Sequence, residues 1–207
     1  MDTVEKNQSG DRQAEIIRIS TDLFLKNGFS GTSMSKIANA CDITKASLYH
    51  HFSGKEDLFI ACVTDGYKEA LVALEEILAD TSQSPETQLR LALDTLYSTI
   101  VGSPVGQMSP LIAEVSRAFP SVARSFHSDY IEPQEALMWQ LIDRGIDQGA
   151  FKDVDKKVLS HLIFGPIVTL SMSREMFASF EDLDDHFPIS HLQNGHAKII
   201  LGLLEAD

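Results

Sequence analysis

The sequence predicts an all-α fold of about nine helices, in which a long helix joins a small N-terminal helical domain to a larger C-terminal one. Three observations support this prediction. Apolar residues recur at helical spacing, as in Met34, Ile37 and Ala38. Two short helices with capping hydroxyl residues are separated by a tight turn within residues 33–52. From Lys55, about 25 residues continue as one helix, which would be about 38 Å long.

The first helix is predicted to run from about Arg12 to Asn27, after a disordered polar tail at residues 1–11. Gly28 is expected to end this helix, and Phe29 to pack back onto its last turn. The apolar stripe that faces the core is expected to consist of Ile16, Ile17, Ser20, Leu23 and Phe24.

The next two helices have the pattern of a helix-turn-helix. Ser33 is expected to cap the first, and Thr44 the second. Asp42 lies in the turn, where Asp tolerates the left-handed conformation that a tight helix exit needs. In a helix-turn-helix of this kind, the second helix lies in the DNA major groove. A helical hairpin in any soluble bundle could show the same spacing, so spacing alone leaves both interpretations open.

The surrounding residues favour DNA binding. Residues 16–59 resemble the N-terminal domain of the TetR family of bacterial transcriptional repressors. The matching positions are Ile16, Ile17, Leu23, Phe24, Gly28, Phe29, Thr32, Ser33, Ile37, Ala38, Ile43, Leu48, Tyr49, His51, Phe52, Lys55 and Leu58. Two positions depart from the family pattern: Asp42 stands where Gly is usual, and Gly54 where the family tends to have Ser. The resemblance implies a homodimer that binds a palindromic double-stranded DNA operator and is released by a small-molecule effector.

The residues predicted to contact DNA are Thr32, Ser33, Thr44, Lys45, Ala46, Ser47, Tyr49, His50 and Lys55. Tyr49, Lys55 and the Thr32 and Ser33 hydroxyls are expected to bind phosphates. Short or flexible side chains on the second helix, namely Lys45, Ala46 and His50, are expected to contact base edges.

The net charge of −13 is unusual for a DNA-binding protein, but the charge is unevenly distributed. Residues 12–55 contain six Lys and Arg against three acidic residues, a balance of +3. Residues 61–207 contain ten Lys and Arg against 22 acidic residues, a balance of −12. This asymmetry indicates a nucleic-acid-facing N-terminal end.

The C-terminal region is predicted to be helical and interrupted by prolines, with a kink or break at Pro133. Residues 111–126 and 143–151 also resemble the TetR subgroup that includes regulators of multidrug efflux. An effector cavity is expected here, lined by some of Tyr97, Met108, Phe119, Phe126, Tyr130, Trp139 and Phe164. These side chains could equally belong to the core. The acidic balance favours a lipophilic ligand that is neutral or cationic.

The last two helices, at about 154–177 and 189–205, are predicted to form the dimer interface through Leu162, Ile167, Leu170, Ile199, Ile200 and Leu203. The helix that contains VLSHLIFGPIVTLSM is apolar on nearly every side and must therefore be buried all round. Packing inside a monomer is the alternative. A two-fold dimer is the commonest oligomer.

No catalytic or metal-binding motif accompanies these features, so we expect no catalytic residues, no metal and no cofactor. Neither a signal peptide nor a membrane span is evident, and we expect a cytoplasmic protein. The predicted domains are residues 12–59 for DNA binding and 60–207 for effector binding and dimerisation. Two rival hypotheses are a DNA-binding regulator without a ligand and a helical enzyme with an incidental helix-turn-helix.

Overall fold

The computed structural model describes residues 2–104 and 106–206, with side chains from Asp11 onward. The helices are α1 Asp2–Gly31, α2 Met34–Ala40, α3 Lys45–His51, α4 Lys55–Ala79, α5 Pro85–Ile100, α6 Ser109–Ala118, α7 Pro120–Phe126, α8 Glu132–Asp147, α9 Lys156–Met176, α10 Leu183–His186 and α11 Ile189–Leu204. A 3₁₀ turn, Gly106–Met108, precedes α6, and a π-helical turn, His127–Ile131, precedes α8. The predicted all-α class is confirmed.

Helix α1 begins at Asp2, well before the predicted start near Arg12. The predicted disordered tail is therefore corrected for residues 2–11, whereas Met1 lies outside the described residues. The stretch contains no proline and has good helix formers such as Glu5 and Lys6, so nothing in it stops a helix. Gly28, predicted to end the helix, interrupts it with a φ of 70°, and helical residues continue beyond this kink to Gly31.

The chain divides into two compact units. The first unit comprises residues 1–66 and 110–127, and the second comprises 67–109 and 128–207. This division differs from the predicted boundary at residue 60, because α4 contributes to both units and α6 and α7 belong to the first. One physical reason is the ring of Phe119, whose centroid lies 5.5 Å from that of Phe29.

The core of the first unit is built around the aromatic rings of Phe24, Phe29 and Phe59. The centroid of Phe59 lies 5.1 Å from Phe24 and 5.3 Å from Phe29, both in edge-to-face geometry. Each such pair contributes about 0.5–1.5 kcal/mol beyond the burial of its surface. The cluster fixes α1 against α4 behind the helix-turn-helix.

In the second unit, α5 packs against α8, α9 and α11. Two polar side chains, the buried Gln88 and the half-buried Arg144, bind carbonyls at and just after the end of α4, where carbonyls lack partners within the helix. The Gln88 amide donates to Ile77 O and Asp80 O at 2.8 Å each, and Arg144 donates to Leu78 O at 2.7 Å. Among the described residues, no helix is both long and apolar enough to cross a membrane.

Candidate DNA-binding interface

Both helices of the predicted helix-turn-helix begin at the expected caps. The Ser33 hydroxyl accepts a hydrogen bond from Lys36 N at 3.2 Å, and the Thr44 hydroxyl accepts one from Ser47 N at 3.1 Å. Each cap satisfies an amide that the first turn of its helix leaves without a partner. The start of the recognition helix, α3, is therefore fixed by its own sequence.

The turn between α2 and α3 is a Schellman motif. Ile43 N donates to Ala38 O at 3.0 Å, and Asp42 N donates to Asn39 O at 3.2 Å. This pair of bonds requires a left-handed residue directly after the helix. Asp42 is that residue, with a φ of 53°, as predicted.

Helix α3 has one buried and one exposed side. Leu48 is fully buried and anchors the helix, and Phe52 directly after it is also buried. The exposed side carries Lys45, Ala46, Tyr49 and His50, with Ser47 half-buried. Tyr49 is 46% exposed, and the Lys45 ammonium lies 5.8 Å from its ring centroid. The exposed side thus offers a cation, a phenol and an imidazole on a helix that is held from behind.

Two of the predicted phosphate-binding residues have other contacts. Thr32 is 1% exposed, and its hydroxyl donates to Leu23 O at 3.1 Å and to Gly28 O at 2.9 Å. The expectation that this hydroxyl is available to a phosphate is therefore corrected. Thr32 instead fastens the loop after α1 to that helix.

The Lys55 ammonium donates to Phe29 O at 2.8 Å and to Thr32 O at 3.0 Å, and it lies 4.1 Å from the Phe29 ring centroid. Burial lowers the pKa of Lys55 from its ordinary value. A phosphate would have to share this ammonium with two carbonyls. Contact between Lys55 and DNA stays a prediction.

The residues predicted to line an effector cavity are divided between the two units. Phe119 and Phe126 belong to the first unit, and the other five belong to the second. Within the second unit, Tyr130 stacks on Tyr67 with a centroid distance of 4.0 Å. The Trp139 indole donates to the Ser160 hydroxyl at 3.0 Å. Tyr97 is hydrogen-bonded at 3.0 Å to His196 Nδ1. Met108 is fully buried, whereas Phe164 is half-buried.

The predicted interface residues fall into two groups. Leu162, Ile199 and Leu203 are exposed, with exposed fractions of 44%, 70% and 38%. Ile167, Leu170 and Ile200 are buried within the chain itself. Their place in an interface stays a prediction. Because both helices are apolar on several sides, periodicity in the sequence could not separate the two groups.

A groove lies within the second unit beside the exposed group. Its cavity of about 370 Å³ is lined by Tyr97, Leu162, Pro166, Leu170, His191, Leu192, Gly195, His196, Ile199, Ile200 and Leu203. Below it, His196 Nε2 is hydrogen-bonded at 2.9 Å to Leu162 O. Burial lowers the pKa of His196 from its ordinary value, against the raising effect of that hydrogen bond.

Sequence reasoning missed two residues. Gln134 is 2% exposed, and its Oε1 accepts no hydrogen bond from the described residues. Arg12 donates to Cys41 O, in the helix-turn-helix turn, at 2.7 Å. The spacing of Gln134 from Tyr130 and Met138, four residues to either side, was a signal that it faces inward. Nothing local to Arg12 indicates its partner.

A capped helix pair with a Schellman turn and an exposed second helix has the geometry of a helix-turn-helix motif. Residues 16–62 match the family model described as "Bacterial regulatory proteins, tetR family". The chain is 25% identical over 151 residues to the HTH-type transcriptional repressor KstR2 of Mycobacterium tuberculosis. The aligned region covers 72% of this chain and 74% of the repressor. The chain is therefore similar to TetR-family transcriptional regulators, most clearly over residues 16–62, which contain the helix-turn-helix.

Solved structures agree in fold. FadR of Bacillus subtilis, in complex with stearoyl-CoA, has a TM-score of 0.76 at 18% identity and covers 92% of this chain and 98% of its own. AibR, in complex with isovaleryl coenzyme A and operator DNA, has a TM-score of 0.68 at 21% identity. The match covers 91% of this chain and 97% of AibR. At these identities the likeness shows the fold.

Proposed function

We propose that this regulator is a homodimeric repressor that binds a palindromic operator and releases it when a lipophilic small molecule binds the second unit. The observation that carries the proposal is the two-sided recognition helix. Leu48 is fully buried, while Lys45, Ala46, Tyr49 and His50 are exposed on a backbone capped at its start. Such a helix presents a fixed set of side chains to base edges and phosphates.

A second copy of the chain would cover the exposed apolar side chains of α9 and α11. Scattered exposed apolar residues are normal, but a continuous apolar patch indicates an interaction surface. Leu162, Leu192, Ile199 and Leu203 are exposed and line one groove, so they form such a patch. An interface of this kind would be two-fold, and a two-fold dimer matches a palindromic operator.

The unpartnered Gln134 Oε1 supports an effector site in the second unit. A buried amide oxygen without a donor is unfavourable by about 1–3 kcal/mol. A ligand with an N–H or O–H group would satisfy it. We infer that the effector combines an apolar body with at least one such donor.

Two ligand classes meet this description. An acyl-CoA thioester is the first, because FadR and AibR were solved with stearoyl-CoA and isovaleryl coenzyme A. Its acyl chain is apolar and its pantetheine arm carries amide N–H groups. A neutral or cationic lipophile is the second. It is favoured by the −12 balance of residues 61–207 and by the resemblance to regulators of multidrug efflux.

The test is to select a duplex from a random-sequence library with the protein and titrate ligands against the labelled complex. We expect a long-chain acyl-CoA to release the DNA, with free CoA as the control for the charged head group. Gln134→Leu should weaken the response to the ligand without lowering stability, because it removes an unpartnered acceptor. Tyr130→Phe, which retains the ring stacked on Tyr67, isolates the contribution of the phenol hydroxyl.

Release by neutral or cationic lipophiles, with no effect of acyl-CoA, would favour the second ligand class. If neither class released the DNA, the ligand-independent regulator would replace this proposal. If no duplex were enriched, the repressor itself would be the wrong function.

A further inference from the structure

Arg12 contacts the helix-turn-helix turn from outside the motif. It lies on α1, and its Nη2 donates a 2.7 Å hydrogen bond to Cys41 O, 29 residues away. Its Nη1 forms an ion pair with Glu15, three residues along the same helix. The Arg12 side chain is 34% exposed, so the contact is partly shielded from water. A charged donor, oriented by a carboxylate, is therefore fixed at one carbonyl of the turn.

That carbonyl is one of several at the end of α2 that receive hydrogen bonds from beyond the helix. The last carbonyls of a helix have no partners within it. The amides of Ile43 and Asp42 satisfy Ala38 O and Asn39 O. Cys41 O, at the C-cap, accepts the hydrogen bond from the Arg12 guanidinium. A cation at a helix C-terminus also complements the partial negative charge there.

The same turn contains the strained residue Asp42. Its φ of 53° is in a region that non-glycine residues seldom occupy. Thr44, two residues further on, caps α3, so the backbone angles of the turn set the direction of the recognition helix. We propose that Arg12 is a positioning residue: by holding Cys41 O, it keeps the turn in its left-handed form and α3 at the angle that DNA recognition requires. This inference rests on the DNA-binding function.

A positioning role differs measurably from a direct role in phosphate binding. If the Arg12 guanidinium bound a phosphate, replacing it would weaken binding to every sequence and lower the salt slope by about 0.9. A misdirected recognition helix instead weakens the interactions with base edges, which only the preferred sequence makes. Discrimination between sequences would therefore fall while the salt slope stayed unchanged.

The experiment compares Arg12→Ala and Arg12→Lys with the matched control Arg18→Ala. Arg18 lies on the same helix with its side chain 70% exposed, 4.0 Å from Asp22. The probes are a duplex selected by the wild-type protein and a scrambled duplex of the same composition. A hydrogen bond to a charged group changes an equilibrium constant by about ten-fold or more. We therefore expect Arg12→Ala to lower the affinity for the selected duplex by about ten-fold and the affinity for the scrambled duplex only a little. Arg12→Lys, which retains a charged donor, should recover most of the loss.

Asp42→Gly supplies a second test, because glycine adopts positive φ without strain. In the Arg12→Ala background it should restore part of the discrimination, whereas alone it should change binding little. Amide hydrogen exchange tests the Arg12 hydrogen bond without DNA: in Arg12→Ala, amides 42–48 should exchange faster while those of α4 keep their protection.

Three results would overturn the inference. They are equal loss on both duplexes with a reduced salt slope, an Arg12→Ala variant indistinguishable from Arg18→Ala, or faster exchange spread evenly over the first unit. An absence of any duplex selected by the wild-type protein would instead remove the DNA-binding function, and the exchange measurement would still decide the role of Arg12 in the turn.

Discussion

Replacing Ile199 by Glu should dissociate the proposed dimer while leaving each chain folded. Ile199 is 70% exposed in the single chain, so the substitution removes little internal packing. Burying a whole Ile side chain contributes about 1.5–3 kcal/mol, and its exposed 70% therefore about 1–2 kcal/mol in the dimer. A two-fold interface contains the change twice, which gives about 2–4 kcal/mol before the desolvation of the carboxylate is counted.

That loss corresponds to a rise of about 30-fold to 10³-fold in the dimer dissociation constant. Sedimentation equilibrium measures the constant, and circular dichroism shows whether the chain is folded. Leu91→Glu is the matched control, since Leu91 is 42% exposed on α5 of the same unit but outside α9 and α11. Ile200→Glu, at a position that is 1% exposed, should instead unfold the second unit.

The dissociated variant should also lose affinity for the selected duplex, because a monomer meets only one half-site. Undiminished dimers in both Ile199→Glu and Leu203→Glu would refute the assignment of the interface to this face.

Three further predictions concern single residues. Lys55→Ala should weaken binding to selected and random duplexes alike, because a phosphate contact carries no sequence information. It should also lower the melting temperature, because it removes hydrogen bonds to two carbonyls. Anisotropy titrations that showed an altered sequence preference would contradict the phosphate role. Gly145→Ala would put a Cβ in steric overlap with the Phe151 ring and should reduce the free energy of unfolding in urea by about 1–3 kcal/mol, whereas Gly165→Ala, with nothing within 4 Å, is the control. Because the pKa of His196 is lowered in the folded chain, the unfolded chain binds more protons, so stability should fall as pH drops below about 6.5; thermal melts of His196→Gln should lack this component.

The features that depend on neighbouring residues followed from the sequence. The Ser33 and Thr44 hydroxyls accept hydrogen bonds from amides three residues ahead, and Ser and Thr are residue types that commonly cap helices in this way. Gly28 and Asp42 were identified in the same way, since few residue types tolerate positive φ. The start and end of each helix in the recognition motif were therefore predictable.

The roles that depend on distant partners did not follow. The Lys55 ammonium is bound by carbonyls 23 and 26 residues away, and Thr32 Oγ1 by one nine residues away. The sequence shows a cation and a hydroxyl near the recognition helix but not these acceptors. Ile200 and Ile199 are adjacent apolar residues of similar size, and only the packing of α11 buries the first and exposes the second.

The most direct test of the account is a hydroxyl-radical footprint of the wild-type protein on the duplex it selects. A homodimer with α3 in the major groove should protect two segments related by two-fold symmetry, with centres about one helical turn of 10–10.5 base pairs, or a multiple of it, apart. The Ile199→Glu variant should lose both protected segments at the same protein concentration. A single asymmetric segment, or two segments that persist in a variant shown to be monomeric, would contradict the account.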